Sequence, residues 1–60
     1  MKQWTENYLK SISEIEAQDA KLKLDERGFV RRLKQQIENE IAVSGHQSRL
    51  LDKIWREVCE

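Results

Sequence analysis

Proline is absent from this 60-residue chain, and glycine occurs only at Gly28 and Gly45. Because proline and glycine most often interrupt regular structure, their scarcity favours a mostly helical protein. Apolar residues also recur along the chain at helical spacing. We predict a single small domain with three helices, over about residues 5–20, 26–42 and 45–59.

Cysteine and histidine are nearly absent as well, since Cys59 and His46 are the only examples. One cysteine excludes a disulfide within the chain, and a structural zinc site needs about four Cys or His ligands. The two residues lie at opposite ends of the third predicted helix, roughly 20 Å apart, so they cannot act together as nucleophile and base. Glu38 and Glu40 are two residues apart and do not share a helix face. We therefore expect no metal, no cofactor and no enzymatic activity.

The chain also lacks a net charge, because 11 basic residues balance 11 acidic ones. This balance argues against a general nucleic-acid binder, which normally carries a basic excess. Residues 21–34 are locally basic, with six basic residues against two acidic ones. Such a stretch is either a solvated helix face or a patch that meets phosphates or an acidic protein surface.

No apolar run approaches the roughly 20 residues that span a membrane. The first residues lead directly into polar sequence and lack the core of a signal peptide. We therefore expect no membrane association and a location in the cytoplasm, which agrees with a single unpaired cysteine.

Each predicted helix begins at a residue that can cap its first turn. Thr5 and Asp25 are the expected caps of the first two helices, and Ser44 with Gln47 matches a capping box for the third. Packing is expected along three apolar stripes. They consist of Tyr8, Leu9, Ile12 and Ile15; of Phe29, Leu33, Ile37 and Ile41; and of Leu50, Leu51, Ile54, Trp55 and Val58.

The connection between the first two helices is expected to be extended. Leu22 and Leu24 alternate with charged residues, and both leucines are predicted to close one end of the core. Gly28 follows near the start of the second helix, where glycine costs about 1 kcal/mol relative to alanine. A close approach of the first helix would explain it.

A chain of this length buries only about 60% of the surface that its unfolded form exposes, so it is marginally stable alone. Self-association, docking on a larger partner, or unusually good helix packing can supply the missing stability. The predicted fold class is all-α, either a three-helix bundle or a helix plus a helical hairpin. Because the chain is so small, we expect it to assemble as a homo-oligomer.

Protein binding is the first of two functions that the residues indicate. Two tryptophans are hard to bury fully in so small a bundle, and tryptophan is enriched where interfaces gain most of their energy. We expect Trp4, Leu51 and Trp55 to be the apolar anchors for a protein partner. Four basic residues would steer an acidic partner towards them: Arg27, Arg31, Arg32 and Lys34.

A helix-turn-helix DNA-binding protein is the alternative. The break before the third helix is short and contains Gly45, as such motifs often do. The third helix would then read DNA, with side chains that suit base edges or phosphates. These side chains are Gln47, Arg49, Lys53 and Arg56.

The stretch from Phe29 to Val58 resembles a short helical module of small bacteriophage accessory proteins. In that module an aromatic-led helix precedes a Ser-x-x-Gln cap and a Leu-x-x-Ile helix, found here at residues 29–36 and 44–55. Gly45 and His46 depart from it, since charged helix formers are usual there. The resemblance implies a non-enzymatic accessory protein or inhibitor that binds a host or phage protein in the host cytoplasm.

Overall fold

Three α-helices account for most of the computed structural model, which describes residues 2–60. Helix α1 spans Gln3–Glu16, α2 spans Leu24–Glu38 and α3 spans Gly45–Cys59, and a 3-10 turn, Asp19–Lys21, lies between α1 and α2. Each helix contacts the other two, and no strand occurs among residues 2–60. The predicted all-α three-helix bundle is confirmed.

The core lies between the three helices, each of which contributes buried residues. The radius of gyration of the protein, 10.6 Å over its Cα atoms, matches the value of about 10 Å expected for a compact chain of this length. All three predicted stripes contribute to the core, together with Val30 and Leu22. The buried apolar residues are Ile12, Ile15, Leu22, Val30, Leu33, Ile37, Leu51, Ile54 and Val58.

Helix α1 begins and ends earlier than the sequence indicates. Lys2 is the N-cap, and Thr5 lies inside the first turn, where it is fully buried and its hydroxyl donates to the Lys2 carbonyl at 2.6 Å. The prediction of Thr5 as the cap was therefore wrong. The helix ends at Glu16 because its apolar stripe ends at Ile15, and packing supplies most of the stability of a short helix.

Helix α2 begins at Leu24, two residues before the predicted start. Lys23 is the N-cap in place of Asp25, because the Glu26 carboxylate reaches back and accepts from the Lys23 backbone N–H at 2.9 Å. The extended connection is consequently limited to Leu22 and Lys23. Leu22 closes the end of the core as predicted, but Leu24 is 85% exposed since the chain has already turned into the helix.

Helix α2 also ends before the predicted position. Its last turn closes with the Glu40 N–H donating to the Ile37 carbonyl and the Ile41 N–H donating to the Gln36 carbonyl. This is a Schellman motif, and Glu40 occupies its left-handed position with φ of 57°. Ile41 therefore leaves the apolar stripe and is 56% exposed.

The explanation of Gly28 by close packing was also wrong. A Cβ atom added there would meet nothing within 4 Å. Gly28 lies on the outer side of α2, away from α1, so no neighbouring element requires glycine at this position.

Helix α3 has the predicted bounds and the predicted capping box. Ser44 Oγ accepts from the Gln47 N–H at 3.1 Å, and Gln47 Oε1 accepts from the Ser44 N–H at 3.0 Å. The Gln47 side chain also forms a reciprocal amide pair with Gln36 of α2, and Gln36 Nε2 donates to the Ala42 carbonyl at 2.8 Å. These bonds fix the connection between α2 and α3.

Candidate functional site

An open groove of about 330 Å³ runs between α1 and α3. None of its lining residues comes from α2, so it lies on the side of the bundle away from that helix. We call it the α1–α3 groove. It is lined by Tyr8, Ser11, Glu14, Ser48, Leu51, Asp52 and Trp55.

A second hollow continues the α1–α3 groove towards the start of α1. It is lined by Trp4, Asn7, Tyr8 and Ser11, so Tyr8 and Ser11 belong to both. The Trp4 and Tyr8 rings are in edge-to-face contact, with their centroids 6.3 Å apart. Three of the four aromatic side chains of the protein thus lie along one continuous surface.

Spacing along the two helices produces this aromatic surface. Trp4, Tyr8 and Ser11 recur at intervals of four and three residues, which places them on one face of α1. Ser48 and Trp55 lie seven residues apart, two turns along the facing side of α3. The Tyr8 hydroxyl donates to Ser48 Oγ at 3.2 Å and joins the two helices across the groove.

The polar groups of the α1–α3 groove offer more hydrogen-bond acceptors than free donors, since Tyr8, Ser11 and Trp55 already donate within the protein. Glu14 and Asp52 are the only charged residues of its lining, and both are acidic. The Trp55 Nε1–H already donates to Glu14 Oε1 at 3.2 Å. Asp52 forms an exposed ion pair with Arg56, at 3.2 Å on the same helix. A ligand that brings hydrogen-bond donors or positive charge therefore suits this lining.

The structure brings the two predicted tryptophan anchors to this one surface. Trp4 and Trp55 are both half-buried and pack against the core. Leu51 is different, because it is only 3% exposed and supports the groove from beneath. A partner could touch so buried a side chain only at the floor of the groove, and the choice of Leu51 as an anchor stays a prediction.

The predicted basic cluster on α2 is partly neutralised. Arg27 pairs with Asp19 at 3.3 Å and Lys34 pairs with Glu16 at 3.2 Å, both on exposed surface. Arg31 and Arg32 are exposed, and neither forms an ion pair within residues 2–60. Steering of an acidic partner by this cluster stays a prediction, and it now depends chiefly on those two arginines.

Of the residues proposed to read DNA, three lie on the exposed surface of α3 and one is committed to other contacts. The Gln47 amide is committed to the capping box and to Gln36, so it is not available to a base edge. Arg49, Lys53 and Arg56 are all exposed, and Arg56 also pairs with Asp52. Residues 39–44 separate the two helices, which is longer than the roughly 3–4 residues of a helix-turn-helix.

Sequence reasoning missed most of the groove's polar lining. Helical spacing places Tyr8 in the apolar stripe of α1, and it does not predict that Ser11, Glu14 and Asp52 line a groove. The spacing of Trp4 and Tyr8, one helical turn apart, was the available signal. The pairing of α1 with α3 could not be inferred from spacing within either helix.

No group of His, Cys, Asp and Glu side chains with metal-binding geometry is found between residues 2 and 60. Over the same residues, every helix is too short or too polar to cross a membrane. The chain matches no protein-family model, no curated protein sequence and no solved structure. The helices and the groove lining define the class as an all-α three-helix bundle with an aromatic groove.

Proposed function

We propose that this protein is a non-enzymatic interaction module that binds a segment of another protein in the α1–α3 groove. The observation that carries the proposal is the continuous surface formed by Trp4, Tyr8 and Trp55. Half-buried aromatic side chains with polar tips are typical of binding surfaces, because they supply apolar area at low entropic cost. The resemblance to phage accessory modules supports a host or phage protein as the partner, in the cytoplasm, and inhibition as the effect.

Selection from a random peptide library tests this proposal without a known partner. We expect peptides selected against the wild-type protein to lose binding when Ser11 is replaced by arginine. Ser11 lies in both parts of the groove and is half-buried, so a long side chain there blocks the surface. Ser13→Arg is the matched control, since Ser13 is exposed on the same helix and does not line the groove.

The Trp55→Ala variant measures the contribution of the anchor itself. We expect it to weaken binding of the selected peptides by about 2 kcal/mol or more, as for other tryptophan hot spots. Circular dichroism should show helix content close to that of the wild type. If Trp55→Ala unfolds the chain, Trp55 is a core residue and its choice as anchor is wrong. If Ser11→Arg leaves peptide binding intact, the groove is not the binding site.

Assembly of the protein as a homo-oligomer is a separate proposal. Its support is the small size of the chain and the exposure of Leu24 and Ile41. Sedimentation equilibrium over a wide concentration range should show a mass above that of one chain.

A further inference from the structure

We infer that the α1–α3 groove binds an arginine side chain presented by the partner protein. This inference rests on the proposed function, since it names the chemistry of the occupant of the same groove. It follows from the hydrogen-bonding character and charge of the lining, considered together with the position of the aromatic rings.

The lining offers acceptors and leaves almost no donors free. The carboxylates of Glu14 and Asp52 can only accept, and the hydroxyls of Ser11, Ser48 and Tyr8 can also accept. The indole N–H of Trp55 is already used by Glu14 Oε1. A positively charged group that only donates hydrogen bonds complements such a surface, and the guanidinium of arginine and the ammonium of lysine are groups of this kind.

Arginine fits this groove better than lysine does. Its planar guanidinium can stack on the faces of Tyr8 or Trp55, and its fork of N–H groups matches a carboxylate. Its apolar stem can lie along the aromatic surface that continues to Trp4. Acidic side chains of a partner are disfavoured, because Glu14 and Asp52 are the only charges of the lining.

The existing contacts of the two acids leave room for this ligand. Glu14 Oε2 has no hydrogen bond within residues 2–60, so it is free to accept while Oε1 keeps the Trp55 indole in place. The Asp52–Arg56 pair is exposed on both sides, and pairs of this kind contribute little to stability. An incoming guanidinium can share or replace Arg56 at Asp52.

Calorimetric titration with short synthetic peptides tests the inference. The probe is an acetylated, amidated peptide that alternates arginine with leucine. The comparison peptide carries citrulline, a neutral isostere, in place of arginine. We expect the arginine peptide to bind about tenfold more tightly than the citrulline peptide, since a charge-assisted hydrogen bond is lost. Glu14→Gln should remove most of that difference in affinity. Added salt should weaken the binding of the arginine peptide but not that of the citrulline peptide.

Glu6→Gln is the matched control, because Glu6 is an exposed acid of α1 that does not line the groove. If Glu6→Gln weakens the arginine peptide as much as Glu14→Gln does, attraction is unspecific and the inference is overturned. If the citrulline peptide binds as tightly as the arginine peptide, the inference is also overturned. The proposed function is kept in that case, provided that Ser11→Arg still abolishes binding. If neither peptide binds and the random library yields no groove-dependent peptide, the proposed function fails as well.

A second copy of this chain is the competing occupant, with Arg31 or Arg32 as the inserted residue. Sedimentation equilibrium of the Arg31→Gln and Arg32→Gln variants separates it from another protein. Loss of self-association in either variant, together with loss in Glu14→Gln, would assign the groove to a second copy and overturn the inference.

Discussion

Glu40 adopts a backbone conformation that glycine usually provides. Its φ of 57° is the only positive value at a non-glycine residue between residues 2 and 60. The left-handed conformation brings Cβ close to a neighbouring carbonyl oxygen and costs other residues roughly 1–2 kcal/mol. The two glycines of the chain lie elsewhere, with Gly28 inside α2 and Gly45 at the start of α3.

Placing glycine at position 40 and removing it from position 28 should each stabilise the protein. We expect Glu40→Gly to raise the free energy of unfolding by about 0.5–1 kcal/mol, because it relieves the strain at the left-handed position. Gly28→Ala should add about 1 kcal/mol, since alanine is the better helix former and the added methyl group meets no neighbour. Urea denaturation followed by circular dichroism measures both changes.

Gln35→Gly is the control for this pair of substitutions. Gln35 is exposed inside α2, so glycine there should lower the free energy of unfolding by about 1 kcal/mol. A stabilising effect of Gln35→Gly, or a destabilising effect of Glu40→Gly, would contradict the assignment of the helix end to Glu38.

At the scale of the elements, the connection between α2 and α3 depends on one side chain. Gln47 completes the capping box of α3 and pairs with the Gln36 amide of α2. Replacing it by alanine removes its side-chain bonds to the Ser44 N–H and to Gln36, and leaves the Gln36 amide with only its bond to the Ala42 carbonyl. We expect Gln47→Ala to lower the free energy of unfolding by about 1–2 kcal/mol.

Gln35→Ala is the matched control for Gln47→Ala. No hydrogen bond of the Gln35 side chain is found among residues 2–60, and the change should stay within about 0.5 kcal/mol. Similar effects of the two variants in urea denaturation would mean that the amide pair contributes nothing to the fold.

At the scale of the molecule, burial separates two apolar residues that look alike in the sequence. Ile12 is completely buried among the three helices, whereas Leu24 is 85% exposed. We expect Ile12→Ala to cost about 2–5 kcal/mol through lost packing and a cavity. A chain of this size has a total stability of roughly 3–9 kcal/mol, so this variant should be largely unfolded at moderate temperature.

Leu24→Ala should change the free energy of unfolding of the monomer by less than about 0.5 kcal/mol. Thermal denaturation of both variants at low protein concentration measures the contrast. A large loss of stability for Leu24→Ala that grows with protein concentration would indicate that Leu24 is covered by self-association.

The amino-acid sequence by itself determined the helices and most of the core. Scarce helix breakers and apolar residues at helical spacing predict three helices, because both effects act between residues close in the chain. The cap at Ser44 and Gln47 was predictable for the same reason. The ends of α1 and α2 were not, since Lys2, Lys23 and Glu40 are not the residues usually found at those positions.

Only the tertiary structure decided which surface is left for binding. The pairing of α1 with α3 brings Trp4 and Tyr8 beside Trp55, buries Leu51 and lines the groove with Glu14 and Asp52. The spacing within each helix gives its apolar face, but not which neighbouring helix that face meets. That choice depends on the packing of all three helices at once, so the chemistry of the groove emerged only when they were assembled.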